Sequence, residues 1–283
     1  MKTNKFLSLL ALIAFMLACN LPSLSTSTPA ANTSEPPATV VAPTNTPITT
    51  GNTVTLNNVT LTIPQGLAKD ALTEMISAVT DPNAPAWEMA PAHLEFTLTS
   101  YQLQDKFHQP KIYIYPAQEF AADSGAGESI RRLQAILTNT APLTADNLPF
   151  VPFFNAGQVF AAQIQIIQFQ NGSGVRFLTE YAQSFATINN RELFYHFQGL
   201  TDDDKYYIIA ILPVTAPMLA SDEKPDAPVP PDGVPFPGYD DPNADFIGYY
   251  DAITEKLNAQ TPENFQPSLS VLDDLMRSLI VTP

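Results

Sequence analysis

A single cysteine in 283 residues, Cys19, leaves no partner for an internal disulfide, so the fold must be stabilised by an ordinary hydrophobic core. Histidine is almost as scarce. His93, His108 and His196 lie far apart, none at metal-ligand spacing from another or from the cysteine, and a zinc-type site has no support. Basic residues are few as well, 13 against 28 acidic ones, for a formal net charge of −15 and a pI near 4.3. A negative surface repels phosphates and anionic headgroups, which argues against nucleic acid as a partner. Long apolar runs are also missing. The N-terminal stretch Phe6 to Ala18 stops short of the roughly 20 residues that a membrane-spanning helix needs.

That stretch has the form of a secretory signal. Lys2 and Lys5 precede it, and the small residue Ala18 stands just before Cys19. Met16-Leu17-Ala18-Cys19 resembles the bacterial lipobox, with Met16 in the usual leucine place and Leu17 in the middle one. The resemblance implies cleavage before Cys19, acyl chains on its thiol and on a glycerol, and a lipid-anchored protein on the extracytoplasmic face of a membrane. A non-lipidated signal peptide is the competing reading. Removal of Lys2 and Lys5 would leave a mature chain with 28 acidic and 11 basic residues.

Behind a signal at residues 1–18, the span 19–52 is rich in Ser, Thr and Pro and carries one charge, Glu35. It has too little apolar material to pack and is expected to be a disordered linker. Residues 53–283 are expected to form a single domain; 45% hydrophobic residues and 10% aromatics suit a globular class. Val54 to Ile63 predicts a hairpin turning at Asn57-Asn58, and a short helix is expected over 69–80. Strands follow at 93–101 and 111–115, with an amphipathic helix at 127–138. Four β-rich runs, 159–169, 174–181, 192–199 and 206–213, are separated by turn residues and predict an antiparallel meander. After a Pro- and Asp-rich insertion at 214–242, helices are expected at about 243–258, with Asp241 as N-cap, and at 269–279, capped by Ser268. Strands followed by helices indicate an α+β fold.

Gly174-Val175-Arg176-Phe177, Leu193-Phe194-Tyr195 and Tyr206-Tyr207-Ile208 lead to a last helix ending Leu275-Met276-Arg277-Ser278-Leu279-Ile280-Val281. This pattern, over roughly residues 54 to 283, resembles the PsbP-like α/β/α sandwich. The resemblance implies an antiparallel sheet closed by a C-terminal helix, and a non-enzymatic binding or accessory role at a membrane complex.

No catalytic, cofactor or metal residue stands out. His196 lies inside a strand, where a satisfied or half-exposed residue is expected, and Ser173 between two glycines reads as a turn serine. Asp202-Asp203-Asp204 with Lys205 suits a solvated hairpin tip. Asp241-Pro242-Asn243-Ala244-Asp245 opens like a calcium loop, yet Phe246 stands where that loop needs Gly and Ala252 where it needs Glu. The insertion carries more interest. A loop of nearly 30 residues is uncommon in a compact domain unless it has a function. From Gly199 to Pro283 there are 15 acidic and 4 basic residues. Phe236, Tyr239, Asp240 and Asp241 are candidates for a partner-facing surface, against the plainer reading of a solvated insertion over a sheet end. The functional expectation is a membrane-anchored extracytoplasmic binding or accessory protein, with an unidentified protein or small ligand as partner. The alternative is an envelope-associated hydrolase. A transporter's solute-binding component fits poorly, since two α/β lobes are not in the pattern.

Overall fold

The computed structural model describes residues 50–283, apart from Pro82, 86–87, 151–153 and Pro283. Cys19, the signal and nearly all of the linker fall outside the described residues; Gly51 and Asn52 already belong to a strand.

Strands β1 (Gly51–Leu56) and β2 (Val59–Pro64) form the expected hairpin, with Asn57 at φ 50° in the turn. Asparagine tolerates that left-handed conformation, which β-branched residues resist. Where a helix is expected over 69–80, the chain runs extended as β3 (Asp70–Ile76), paired antiparallel with β4 (His93–Thr99). Alanine, leucine, methionine and glutamate favour helix in isolation, but seven paired residues along the β4 edge override that preference. Next come β5 (Lys111–Pro116) and helix α1 (Gly125–Leu137), whose N-cap Ser124 accepts from Gly127 N–H at 3.1 Å.

The second half supplies β6 (Gly157–Gln158), β7 (Ala162–Phe169), β8 (Gly172–Thr179), β9 (Tyr181–Ala182), β10 (Phe194–Thr201) and β11 (Tyr206–Pro213). The meander is present, and β11 also pairs with β5, which joins the two halves in one antiparallel sheet ordered β3-β4-β5-β11-β10-β8-β7. Ser173 is not in the turn: it lies within β8, opposite Leu200 and Gln168, because the chain reverses one step earlier, at Gln170-Asn171. Helix α2 (Phe246–Asn258) begins later than expected. Asp245 is its N-cap, accepting from Gly248 N–H at 2.8 Å, while Asp241 makes a local turn with Asn243 N–H. Helix α3 (Leu269–Arg277) is capped by Ser268 as expected, and β12 (Ile280–Val281) joins β2 in a small sheet ordered β1-β2-β12. The described residues thus have an α+β architecture of three α-helices and antiparallel sheets.

The pleat sends alternate side chains into two cores. Ile208, Ala210 and Leu212 of β11 join α2 and α3 through Ile253, Leu257, Leu272 and Met276. Tyr207, Ile209 and Ile211, one residue out of phase, join Ile130, Leu133 and Ile136 of α1. This explains why β11 reads as a continuous apolar run rather than an alternating one, and why His196 and Gln198 of β10 are shut away with their neighbours: both faces are buried. At the outer edge, the backbone irregularity at Gln163 (φ 54°) aims its amide at α2. There it donates to the carbonyls of Leu257 and Gln260 at 2.8 and 2.9 Å, supplying partners that a helix C-terminus otherwise lacks.

Register places Thr179, Phe194 and Pro213 at one end of the large sheet. The chain comes in at this same end, where Asn52 donates to the Asp70 carboxylate at 3.2 Å beside the first rung of β3.

Candidate functional site

Three loops meet beyond that sheet end. The segment 100–110 leads into β5, the segment 183–193 joins β9 to β10, and the insertion 214–242 follows β11. Asparagine side chains hold them together. Asn189 Oδ1 accepts from the N–H groups of Arg191 and Glu192, closing a tight turn. Asn190 donates to the carbonyls of Ala216 and Leu219 and accepts from Ala216 N–H, fastening the insertion to the turn. Lys106 donates to Asn190 O at 2.8 Å and Phe107 N–H to Arg191 O at 2.9 Å, which adds the third loop. The first part of the insertion is therefore buried, with Met218, Leu219 and Ala220 at 5% exposure or less.

Between these loops is a cleft of about 510 Å³. Phe107, His108, Phe154, Tyr181 and Tyr239 give it an aromatic lining, and Glu192 and Glu223 give it carboxylates. Phe107 and Tyr239 stand 61% and 57% exposed, so the rim is accessible. The His108 ring packs against Phe107, Phe154 and Phe194 at centroid distances of 4.9, 5.5 and 4.5 Å. Burial pulls its pKa down to about 4, so the imidazole stays neutral at physiological pH. Glu223 is held by Arg191, both carboxylate oxygens lying 2.9 Å from Nη1, and its pKa is lowered by its own backbone N–H and then by this contact. Glu192 receives less help. Its hydrogen bond comes from the Asn189 amide at 3.4 Å, and partial burial, with Glu223 adding to it, raises its carboxyl above the ordinary value.

Behind the wall sits a third carboxyl, Glu180, 2% exposed, which accepts from Asn189 N–H at 2.8 Å. Burial drives its pKa well up, and the charge of Glu192 adds to the shift. The Tyr181 hydroxyl is buried and has no hydrogen-bond partner among the described residues. A second hollow, about 560 Å³, lies by Val79, Met89 and Phe120 at the start of α1 and is apolar, without the paired carboxylates.

The candidates from the insertion separate. Tyr239 lines the cleft and donates to Phe185 O at 2.7 Å. Phe236 is half-buried and packs its ring 5.5 Å from Phe246 and 5.4 Å from Tyr249, so its apolar surface is largely spent on the fold. Asp240 and Asp241 are exposed. His196 is fully buried, its Nε2 2.9 Å from the Gln198 amide, and His93 is buried at the far end of the sheet beside Pro91 O. Asp203 forms the expected solvated turn, bonded to Thr201 and paired with Lys205 at 2.9 Å. Among the described residues no group of three or more His, Cys, Asp or Glu side chains could hold a metal ion.

Phe107, His108, Tyr181 and Glu192 carry no role that sequence reasoning could find, because they come from segments up to 85 residues apart and share no spacing. The one local signal was Glu180, an acid inside a β-rich run between Thr179 and Tyr181. No protein-family model, no curated protein and no solved structure matches the chain.

Proposed function

We propose that this chain is a lipid-anchored extracytoplasmic binding or accessory protein that takes its ligand in the aromatic and acidic cleft at the loop end of the large sheet. The observation that carries the reading is the cleft itself: exposed aromatic rims, a neutral imidazole wall and carboxylates, held by three stitched loops. Concave aromatic surface with a few placed polar groups is the usual form of a ligand site. Anchoring through Cys19 draws on the lipobox resemblance, and no described helix is long and apolar enough to cross a membrane. The helices packed against the two cores support the finer α/β/α sandwich arrangement of the PsbP-like resemblance. The exposed stretch of the insertion, Ser221 to Asp232, extends the binding surface beside Glu223.

Affinity capture from membranes tests the reading. The wild-type protein is expected to retain a partner or ligand that the Phe107→Ala/Tyr239→Ala variant and a 222–232 deletion lose; unchanged recovery by both overturns it. Labelled palmitate is expected to enter the wild-type chain and not Cys19→Ser.

A second reading, an envelope-associated hydrolase, draws on Glu192, whose raised carboxyl faces the cleft beside a neutral histidine. Turnover of a cell-envelope polymer that disappears in Glu192→Gln would favour it.

A further inference from the structure

The cleft's electrostatics narrow the ligand class. Two glutamates line it, Glu180 lies behind it, and Asp222 adjoins Glu223. The nearby cations are already engaged: Arg191 by Glu223, and Lys106 by the Asn190 carbonyl. Glu192 is thus half-buried beside Glu223, with a long amide contact and partial compensation from the Arg191 charge. Phe107, Phe154, Tyr181 and Tyr239 line the same cleft. Aromatic π-faces attract cations, by about 0.5–2 kcal/mol each depending on exposure, and a carboxylate adds a direct charge partner. The lining carries these two glutamates and no lysine or arginine, so it disfavours an anion and favours a cation.

Resting on the binding reading above, we propose that the cleft is a site for an organic ammonium group, seated against the aromatic wall with Glu192 as its counter-charge. The source of that group is either a free small amine or a lysine side chain presented by a peptide, since both carry the same head.

The test is calorimetry on the intact protein with a matched set of probes: benzylammonium, benzyl alcohol and benzoate, together with an Nα-acetylated, C-amidated lysine peptide. The ammonium probe is expected to bind at least tenfold more tightly than the alcohol, with no benzoate binding. Glu192→Gln is expected to weaken the ammonium probe at least tenfold while leaving the alcohol unchanged. Phe107→Ala, at an exposed rim position, serves as a second variant without core damage and is expected to weaken binding several-fold. Tighter binding of the peptide than of benzylammonium assigns the source to a protein partner; the reverse assigns it to a small amine. Equal binding of amine and alcohol, or an ammonium affinity indifferent to Glu192→Gln, overturns the ammonium assignment. If a ligand is still captured through Phe107 and Tyr239 in that case, the broader binding reading stands; if cleft variants alter neither measurement, both fall.

Discussion

Glu180 accepts one backbone hydrogen bond and is otherwise shut away from water, which links stability to pH. Its folded pKa lies well above the ordinary 4.5, so the folded chain holds a proton that the unfolded chain releases. Stability from this group is full below about pH 4.5 and is lost as pH rises toward the folded pKa, by at most about 1.4 kcal/mol per pH unit. Glu180→Gln keeps an oxygen for Asn189 N–H and carries no charge. Its urea midpoint should exceed that of the wild type by a margin that widens from pH 4.5 to pH 8. Arg176 presents the opposite case. It is 2% exposed and lies 3.3 Å from the Asp273 carboxylate, which also accepts from the Tyr195 hydroxyl at 3.0 Å. Burial raises the Asp273 carboxyl against the pull of Arg176. Asp273→Ala strands the guanidinium inside the core and should cost about 3–5 kcal/mol in denaturant unfolding.

Asn190 makes the insertion part of the domain rather than an appendage. Asn190→Ala removes two donated bonds and the acceptor for Ala216 N–H. It should destabilise by about 1–3 kcal/mol and speed amide exchange first at Ala216 and its neighbours. At the opposite edge, β3 pairs only with β4 and exposes Leu72 and Met75 at 62% and 67%. Replacing both with lysine should change stability by less than about 1 kcal/mol and suppress any concentration-dependent association seen by light scattering. These two elements also mark the limits of sequence reading. The runs ending in β10 and β11 were legible because twice-buried strands leave dense β-branched and aromatic stretches. Strand β3 was not, since Asp70 to Ile76 carries helix-favouring side chains and becomes a strand through pairing with a neighbour 20 or so residues on. The cleft was half legible: Tyr239 came from the length and composition of the insertion. His108, Tyr181 and Glu192 acquire a common setting only when β5, β11, β10 and β8 lie side by side.

At the scale of the whole molecule, a net charge of −15 should destabilise the compact state by self-repulsion. Raising sodium chloride from about 0.01 to 0.5 M shortens the screening length from about 30 Å to a few Å. The urea midpoint at neutral pH should therefore rise with salt, while ammonium binding in the cleft weakens. The position of Gly51 matters here too, because the chain comes into the domain at the sheet end that carries the cleft. A support coupled ahead of Gly51 would therefore lie on the same side of the domain as the binding site. Capture of a bulky ligand by a domain held through that end should therefore be more hindered than capture by the same domain free in solution.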